Sequence, residues 1–209
     1  MEPEDIESKQ EMEVKEEDFE EVNQDIDDQN DDQRFVELSL ESYSKVSCSM
    51  IAWEEECDIY LMLEDKWETL NEINETIHNI FAGSPEKRPE IINVVKPDIG
   101  TACLAIFDDD GILYRAEIVA VPELPANLLT VVFVDFGNRR NIPVNNPERP
   151  IYRLPSELLK FPKLAVPVRI KDQDKFTKME IDKIRYEWIP GNDAGEQPPF
   201  TADIIGGYL

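Results

Sequence analysis

A close succession of strand-like segments between residues 101 and 144 constrains the fold of this chain more than any other feature. Each segment is rich in apolar and β-branched side chains, and turn or loop residues separate it from the next. Four short antiparallel strands within about 45 residues should roll up into a small bent barrel. The predicted strands are Thr101–Phe107, Ile112–Val121, Leu128–Asp135 and Arg139–Val144, with Asp108–Gly111 as the first turn and Pro122–Asn127 as a longer loop.

Segments with strand or helix periodicity flank this barrel on both sides. Before it, apolar residues recur at three- and four-residue steps and predict an amphipathic helix over 66–81 whose apolar stripe is core. Asp65 is its expected N-cap, with Glu68 in capping-box spacing, and Thr177 and Glu180 have the same spacing ahead of a second helix. The other predicted elements are strands at Phe35–Trp53 (one bent strand or two short ones), Asp58–Leu63, Leu164–Ile170 (a sheet edge, because of Pro167) and Phe200–Ile205, and a short helix at Leu154–Leu159.

The charge of the chain limits the kinds of partner that it can bind. The formal net charge is −25, and residues 1–34 carry 16 acidic and three basic side chains. This segment has few large apolar residues to offset its chain entropy, so we predict a disordered acidic tail. A competing hypothesis makes it an autoinhibitor that competes for a basic-peptide site. Because the remainder is acidic too, and a phosphate backbone is bound by lysine and arginine, we expect basic peptides rather than nucleic acid as partners.

The cysteine and histidine content argues against a disulfide framework and a metal site. Cys48, Cys57 and Cys103 lack close pairing and fit a reduced intracellular compartment, with Cys103 as a core residue. His78 is the sole histidine, and without neighbouring Cys/His spacing we expect no zinc and no other cofactor. No apolar run approaches the ~20 residues of a membrane helix, and the acidic N-terminus is no secretory signal, so no membrane partner is expected.

Two sequence segments resemble those of the Tudor domain family. An aromatic-Arg-Ala strand (LYRA, residues 113–116) is followed by a hydrophobic strand that ends in Asp-aromatic-Gly-Asn (VFVDFGN, residues 132–138). The flanking strands and helices resemble the extended Tudor arrangement, in which a Tudor SH3-like barrel is inserted into a split staphylococcal-nuclease-like module of OB type. The resemblance implies a mainly β, α+β fold, with the disordered tail at 1–34, the first part of the nuclease-like module and a linker helix at 35–96, the barrel at 97–150 and the second part of the module at 151–209.

The resemblance also implies a pocket for symmetrically dimethylated arginine, built from four aromatic side chains and one asparagine. All five positions carry a suitable residue type, although Phe136 stands where tyrosine is usual and Leu113 where tryptophan is common. The positions that correspond to this cage are Phe107, Tyr114, Phe133, Phe136 and Asn138.

Physical chemistry supports such a cage for an arginine. A guanidinium is planar and always charged, so parallel rings can sandwich it, and each ring face contributes roughly 0.5–2 kcal/mol. Methyl groups remove donors that would otherwise require water, and Asn138 can accept a hydrogen bond from a remaining N–H. Cages for methyl-lysine more often add a carboxylate, and Asp135 leaves that possibility open. Otherwise we assign Asp135 to structural pairing with Arg115 inside the barrel.

A purely structural role for these residues is the alternative. Aromatic side chains in the strands of a small barrel are usually core, and Asn138 can simply favour the tight turn. Phe133 and Phe136 are three positions apart, so they face one pocket only if the chain bends near Asp135–Phe136.

The resemblance therefore implies a non-catalytic reader of symmetrically dimethylated arginine. Its expected partners are methylated Arg-Gly-rich protein tails, including those of Argonaute/Piwi proteins, and its expected role is that of an adaptor in small-RNA (piRNA) silencing. The expected location is the cytoplasm, in perinuclear ribonucleoprotein granules such as germ granules. The alternative is a protein-interaction scaffold with a degenerate cage that binds independently of methylation. A nuclease or nucleic-acid binder is less favoured, because we find no basic groove and no cluster assignable to a metal-dependent phosphodiester site.

Overall fold

Two antiparallel sheets carry the fold. In the computed structural model of the protein, the described residues are 33–41, 45–53, 59–92, 98–121, 128–143, 146–169, 177–188 and 199–203. Their elements, in chain order, are β1 (Lys45–Trp53), β2 (Ile59–Leu63), α1 (Trp67–Ala82), β3 (Ala102–Ile106), β4 (Leu113–Ala120), β5 (Leu128–Phe133), β6 (Arg139–Pro143), β7 (Tyr152–Arg153), α2 (Ser156–Leu159), β8 (Val166–Val168), α3 (Lys178–Trp188) and β9 (Phe200–Asp203).

The larger sheet, with strand order β6-β5-β4-β3-β7, forms the predicted barrel. The strands β3 to β6 pair antiparallel with their neighbours in the chain, and β7 pairs with the other edge of β3. The four predicted strands are confirmed, with ends up to two residues shorter. Because the side chains of a strand alternate between its two faces, one side of the sheet encloses a single buried cluster. Its members are Cys103, Ala105, Ala116, Ile118, Leu129, Val131, Phe133, Ile142 and Ile151.

The smaller sheet has the strand order β8-β2-β1-β9, and the apolar side of α3 packs against its core. Its strands β1 and β2 precede the barrel in the chain, whereas β8 and β9 follow it. The barrel is therefore inserted into a split module, as predicted. Pro167 lies in β8, which pairs with β2 at the edge of the sheet among the described strands. An edge strand tolerates proline because one side of its backbone needs no ladder hydrogen bond.

A further buried cluster joins α1 to the outer face of the barrel and to α2. The predicted apolar stripe of α1 is confirmed, since Leu70, Ile73 and Ile77 are buried. They pack in one cluster with Leu104 of β3 and Leu158 of α2. This packing holds α1, which belongs to the first half of the split module, against the barrel. It also holds α1 against α2, which follows the barrel in the chain.

The predicted capping box of the first helix is wrong, whereas that of the second is confirmed. A 3-10 turn, Glu64–Lys66, runs directly into α1, and the helix begins without a side-chain cap. An N-cap residue needs an extended backbone, and Asp65 lies inside that turn instead. At the start of α3, a Glu180 carboxylate oxygen accepts hydrogen bonds from the backbone N–H of Thr177 at 2.8 Å and from its hydroxyl at 2.7 Å.

The predicted strand Phe35–Trp53 is also shorter than expected, because Lys45–Trp53 forms a strand whereas the described residues 35–41 do not. The backbone before it bonds to two separate parts of the fold. The carbonyl of Gln33 accepts from the first residue of β3 at 2.8 Å, and that of Val36 accepts from the backbone N–H of Lys163 at 3.0 Å. Such divergent partners cannot form the regular ladder of a strand.

Some predictions fall outside the described residues and stay predictions. They concern the acidic tail up to residue 32, the loop at 122–127 and Cys57.

Candidate functional site

All five side chains predicted for the cage lie around one cavity of about 90 Å³. That volume is several times the roughly 15 Å³ that one water molecule requires. Phe133 is only 1% exposed and forms the floor, whereas the other predicted residues are partly exposed. The cavity is lined by Phe107, Asp110, Tyr114, Phe133, Phe136 and Asn138, of which only Asp110 was not predicted.

The turn between β3 and β4 positions the first two rings. Phe107 directly follows β3, and Tyr114 is the second residue of β4. The Phe107 N–H donates to the carbonyl of Ile112 at 2.9 Å, and the N–H of Gly111 donates to the carbonyl of Phe107 at 2.8 Å. Gly111 has a φ of +72°, which favours glycine over residues with a Cβ. These bonds close the turn and hold both rings beside the cavity.

The turn after β5 brings the other two rings together. The N–H groups of Phe136 and Gly137 both donate to the carbonyl of Phe133, at 3.0 and 2.7 Å. The N–H of Phe133 donates in turn to the carbonyl of Asn138 at 2.9 Å, and Gly137 has a φ of +83°. The chain therefore bends between Phe133 and Phe136, as their three-residue spacing requires if both rings are to face one pocket.

The rings meet edge to face instead of stacking. The centroids of Phe107 and Phe133 are 5.1 Å apart with their planes at 85°, and those of Tyr114 and Phe136 are 5.0 Å apart at 73°. Tyr114 also meets Phe107 at 76° and Phe133 at 88°. The expected sandwich of a guanidinium needs two opposed rings, which these neighbouring pairs are not, so it stays a prediction. They are adjoining walls of an open box, and the guanidinium of Arg140 lies 4.6 Å from the ring centroid of Phe107.

Tyr114 is a fixed hydrogen-bond donor in the cavity wall. Its hydroxyl donates to Oδ2 of Asp110 at 2.9 Å. Burial, followed by the hydrogen bond to Asp110 and the charge of that carboxylate, raises the pKa of Tyr114 to about 12. The phenol therefore stays protonated and neutral at physiological pH.

The carboxylate of Asp135 does not reach the cavity. Two nitrogens of Arg115 donate to it, at 2.9 and 2.5 Å, and both residues are buried. The same guanidinium donates to three backbone carbonyls beyond the barrel. The suggestion that Asp135 supplies a carboxylate for methyl-lysine is therefore wrong, because its oxygens are bound to Arg115. The three carbonyls belong to Leu158, Phe161 and Pro162, at 2.9, 2.8 and 2.7 Å.

The predicted structural pairing of Arg115 with Asp135 is confirmed, but its place is not the barrel interior. Tyr114 and Ala116, the neighbours of Arg115 on β4, belong to the barrel cluster. Alternation along the strand turns Arg115 to the opposite face, where the guanidinium lies 5.0 Å from the ring centroid of Phe35.

Other residues considered for chemistry lie apart from the cavity. His78 is exposed on α1, while Cys48 and Cys103 are free and buried. Among the described residues, no group of three or more His, Cys, Asp or Glu side chains is placed to hold a metal ion. The described part of the chain also contains no helix that is both long and apolar enough to cross a membrane.

The fold and the cavity together define a small β-barrel with an aromatic-lined pocket, inserted into a split α+β module. The family model of the Tudor domain matches residues 40–172, and the chain belongs to this family. It is 39% identical to the Protein tudor of Drosophila melanogaster over 69 residues, which are 33% of this chain and 2% of that protein. The chain thus spans only a small part of this relative.

Solved structures show that the fold is that of an extended Tudor domain. The extended Tudor domain of human TDRD1, in complex with a symmetrically dimethylated E2F peptide, has a TM-score of 0.59 and 19% identity, with 74% of this chain and 73% of that one covered. A variant of the Drosophila melanogaster Papi extended Tudor domain, in complex with a dimethylated Piwi N-terminal peptide, has a TM-score of 0.57 and 21% identity, with 68% and 69% covered.

Proposed function

We propose that this chain is a non-catalytic reader of symmetrically dimethylated arginine in Arg-Gly-rich peptides. The observation that carries this proposal is the solvent-open cavity whose walls and floor are four aromatic rings with Asn138 beside them. The human TDRD1 domain, which shares the fold, was solved with a symmetrically dimethylated peptide, and this supports a methylated ligand here. The Papi domain was solved with both a dimethylated and an unmethylated Piwi peptide, which supports an arginine peptide as the class of ligand.

The lining of the cavity suits a methylated guanidinium. Ring faces attract a delocalised cation, and the apolar surroundings accept its methyl groups without the desolvation cost of extra N–H donors. The amide oxygen of Asn138 can accept a hydrogen bond from a remaining N–H. Each ring face that meets the cation contributes roughly 0.5–2 kcal/mol.

The same lining favours binding over catalysis. It offers ring faces, one amide, one carboxylate and a phenol whose pKa is raised to about 12. At physiological pH the phenol is therefore a hydrogen-bond donor and not a base.

We further propose that the partners are the methylated tails of Argonaute/Piwi proteins, and that the chain acts as an adaptor in small-RNA silencing in perinuclear cytoplasmic granules. The formal net charge of −25 supports this partner class, because an acidic protein speeds the encounter with basic tails. Co-purification of a Piwi protein that persists after inhibition of arginine methylation would contradict this part of the proposal.

Calorimetric titration with matched Arg-Gly peptides tests the reader function. The peptides carry one arginine that is unmodified, asymmetrically dimethylated or symmetrically dimethylated, and a fourth carries dimethyl-lysine. We expect the symmetric form to bind tightest, and we expect Asn138→Ala to reduce its affinity about tenfold by removing the acceptor. Asn141→Ala is the matched control, because Asn141 lies on β6 and bonds Thr130 instead of lining the cavity.

The outcome separates the two functions considered from the sequence. If all four peptides bind the wild-type chain equally, the reader function is wrong and a scaffold that ignores methylation takes its place. If dimethyl-lysine binds tightest, the ligand class is wrong while the cage remains.

A further inference from the structure

The turn between the first two cage rings contains three consecutive aspartates in different electrostatic situations. Asp108 pairs with Arg149 at 2.6 Å, and Asp109 pairs with Arg140 at 3.0 Å. None of these four residues lines the cavity. Two of the three carboxylates therefore form ion pairs with arginines of the same chain, and these pairs do not line the cavity.

The third carboxylate, that of Asp110, lines the cavity. Its Oδ1 accepts from the backbone N–H of Ile112 at 2.8 Å, and its Oδ2 accepts from the hydroxyl of Tyr114 at 2.9 Å. Both donors are neutral, and no ion pair involves Asp110 among the residues that the structure describes. Each carboxylate oxygen can accept more than one hydrogen bond, so both retain acceptor capacity.

We propose that Asp110 is the counter-ion of the guanidinium bound in the cage and accepts a hydrogen bond from one of its N–H groups. This inference rests on the proposed reader function and extends it. A symmetrically dimethylated guanidinium keeps one N–H on each terminal nitrogen. Asp110 and Asn138 belong to two different turns and supply two acceptors for these donors.

As a counter-ion, Asp110 makes this aromatic pocket favour a cation over a neutral side chain of similar shape. Hydrogen bonds between two charged groups are about twice as strong as neutral ones, and the two bonds that Asp110 already accepts hold its carboxylate in place. Asp110 is thus a specificity-determining residue, whereas the neighbouring aspartates are structural.

The test compares two isosteric substitutions in the full chain, titrated with an Arg-Gly peptide that carries one symmetrically dimethylated arginine. Asp110→Asn removes the charge, keeps Oδ1 for the bond from the Ile112 N–H, and puts an NH2 in place of Oδ2 that can donate to the Tyr114 hydroxyl. We expect the Kd to rise about tenfold. Asp108→Asn removes the same charge two residues away, outside the cavity, and we expect less than about a twofold change.

A third variant separates a counter-ion from a residue that only orients a ring. Tyr114→Phe deletes the hydroxyl that Asp110 accepts from, while it leaves the carboxylate in place. Its loss of affinity should be smaller than that of Asp110→Asn. If Asp110→Asn does not fold, Asp110→Ser replaces it, because a serine hydroxyl can bond the backbone two residues on, and the same tenfold loss is expected.

Each result has a definite meaning. If the wild-type chain binds no methylated peptide in preference to the unmodified one, the reader function itself fails. If it does, but Asp110→Asn binds as tightly as wild type, only the counter-ion is overturned. The same holds if Asp108→Asn or Tyr114→Phe loses as much affinity as Asp110→Asn, since the effect would then come from the general field or from ring orientation.

Discussion

At the scale of single residues, Gly137 shows how closely the cage turn is tied to the rest of the fold. Its φ of +83° favours glycine, and a Cβ added there would overlap the ring of Tyr60 on β2. Tyr60 is itself buried, 7% exposed, in the smaller sheet. The turn that presents Phe136 and Asn138 therefore rests directly on the split module.

Replacing Gly137 tests this contact. Both Gly137 and Gly111 have positive φ, but a Cβ at Gly111 would meet nothing within 4 Å. Gly111→Ala should cost about 1 kcal/mol of unfolding free energy from backbone strain alone. Gly137→Ala should cost about 1–3 kcal/mol more, because the methyl group must displace a packed ring. Urea unfolding of the two variants measures the difference. Equal losses of unfolding free energy would mean that the Tyr60 ring shifts at no measurable cost.

Phe133 has two roles that its sequence context does not separate. It forms the floor of the cavity and is also a member of the buried barrel core. Truncating it would cost about 3–5 kcal/mol of stability as well as a ring face. The core interpretation of Phe133 is therefore confirmed, and its role in binding a ligand stays a prediction.

At the scale of elements, the two helices of similar sequence pattern begin differently. The first enters from a 3-10 turn that already orders its chain, whereas α3 begins with the Thr177–Glu180 capping box. The capping bonds satisfy N–H groups that would otherwise lack partners at the first turn of the helix.

Thr177→Ala should destabilise α3 by about 1 kcal/mol at neutral pH. The bonds from the backbone and hydroxyl of Thr177 lower the pKa of Glu180, so their contribution is present above the ordinary carboxyl pKa. It is lost as the pH falls through the lowered value, and the effect of the substitution should shrink accordingly. Hydrogen exchange of the α3 amides at several pH values measures this.

Thr76→Ala is the control for the capping substitution. The Thr76 hydroxyl bonds the carbonyl of Glu72 within α1, where alanine is the better helix former. It should leave stability unchanged or raise it, with no dependence on pH. A similar loss for both threonines would exclude capping as the cause.

At the scale of the whole molecule, the Arg115–Asp135 pair holds the barrel to the segment that leads back into the smaller sheet. The guanidinium bonds a carboxylate of the barrel, one carbonyl of α2 and two carbonyls between α2 and β8. Its five hydrogen bonds are made without water contact, since Arg115 is fully buried. This bonding is one reason why the barrel and the split module form one fold.

Arg115→Met should cost about 3–5 kcal/mol of unfolding free energy, because it leaves a buried carboxylate uncompensated. Arg149→Met removes an ion pair of similar length that is about 40% exposed, and should cost less than about 1 kcal/mol. Chemical denaturation followed by tryptophan fluorescence compares them. A loss at Arg115 no larger than at Arg149 would show that the buried pair does not hold the fold together.

The sequence by itself determined the features that depend on local pattern. Strand alternation and turn residues placed the four barrel strands within two residues of their observed ends, and the apolar stripe of α1 followed from its spacing. The five cage positions came from a motif compared residue by residue, because the two turns that carry them are short and self-contained. Such features can be predicted from neighbouring positions in the sequence, even where the finished structure packs them on distant residues, as it packs Gly137 on Tyr60.

The tertiary structure decided which carboxylate lines the cavity. Asp108 and Asp109 are neutralised by arginines 41 and 31 positions away, and Asp135 by Arg115 together with a distant segment, which leaves Asp110 at the cavity. The angles between the rings were decided in the same way, by packing between two turns. The pairing of the carboxylates and the orientation of the rings depend on neighbours that are remote in the sequence. Hydrophobic periodicity carries no information about such neighbours.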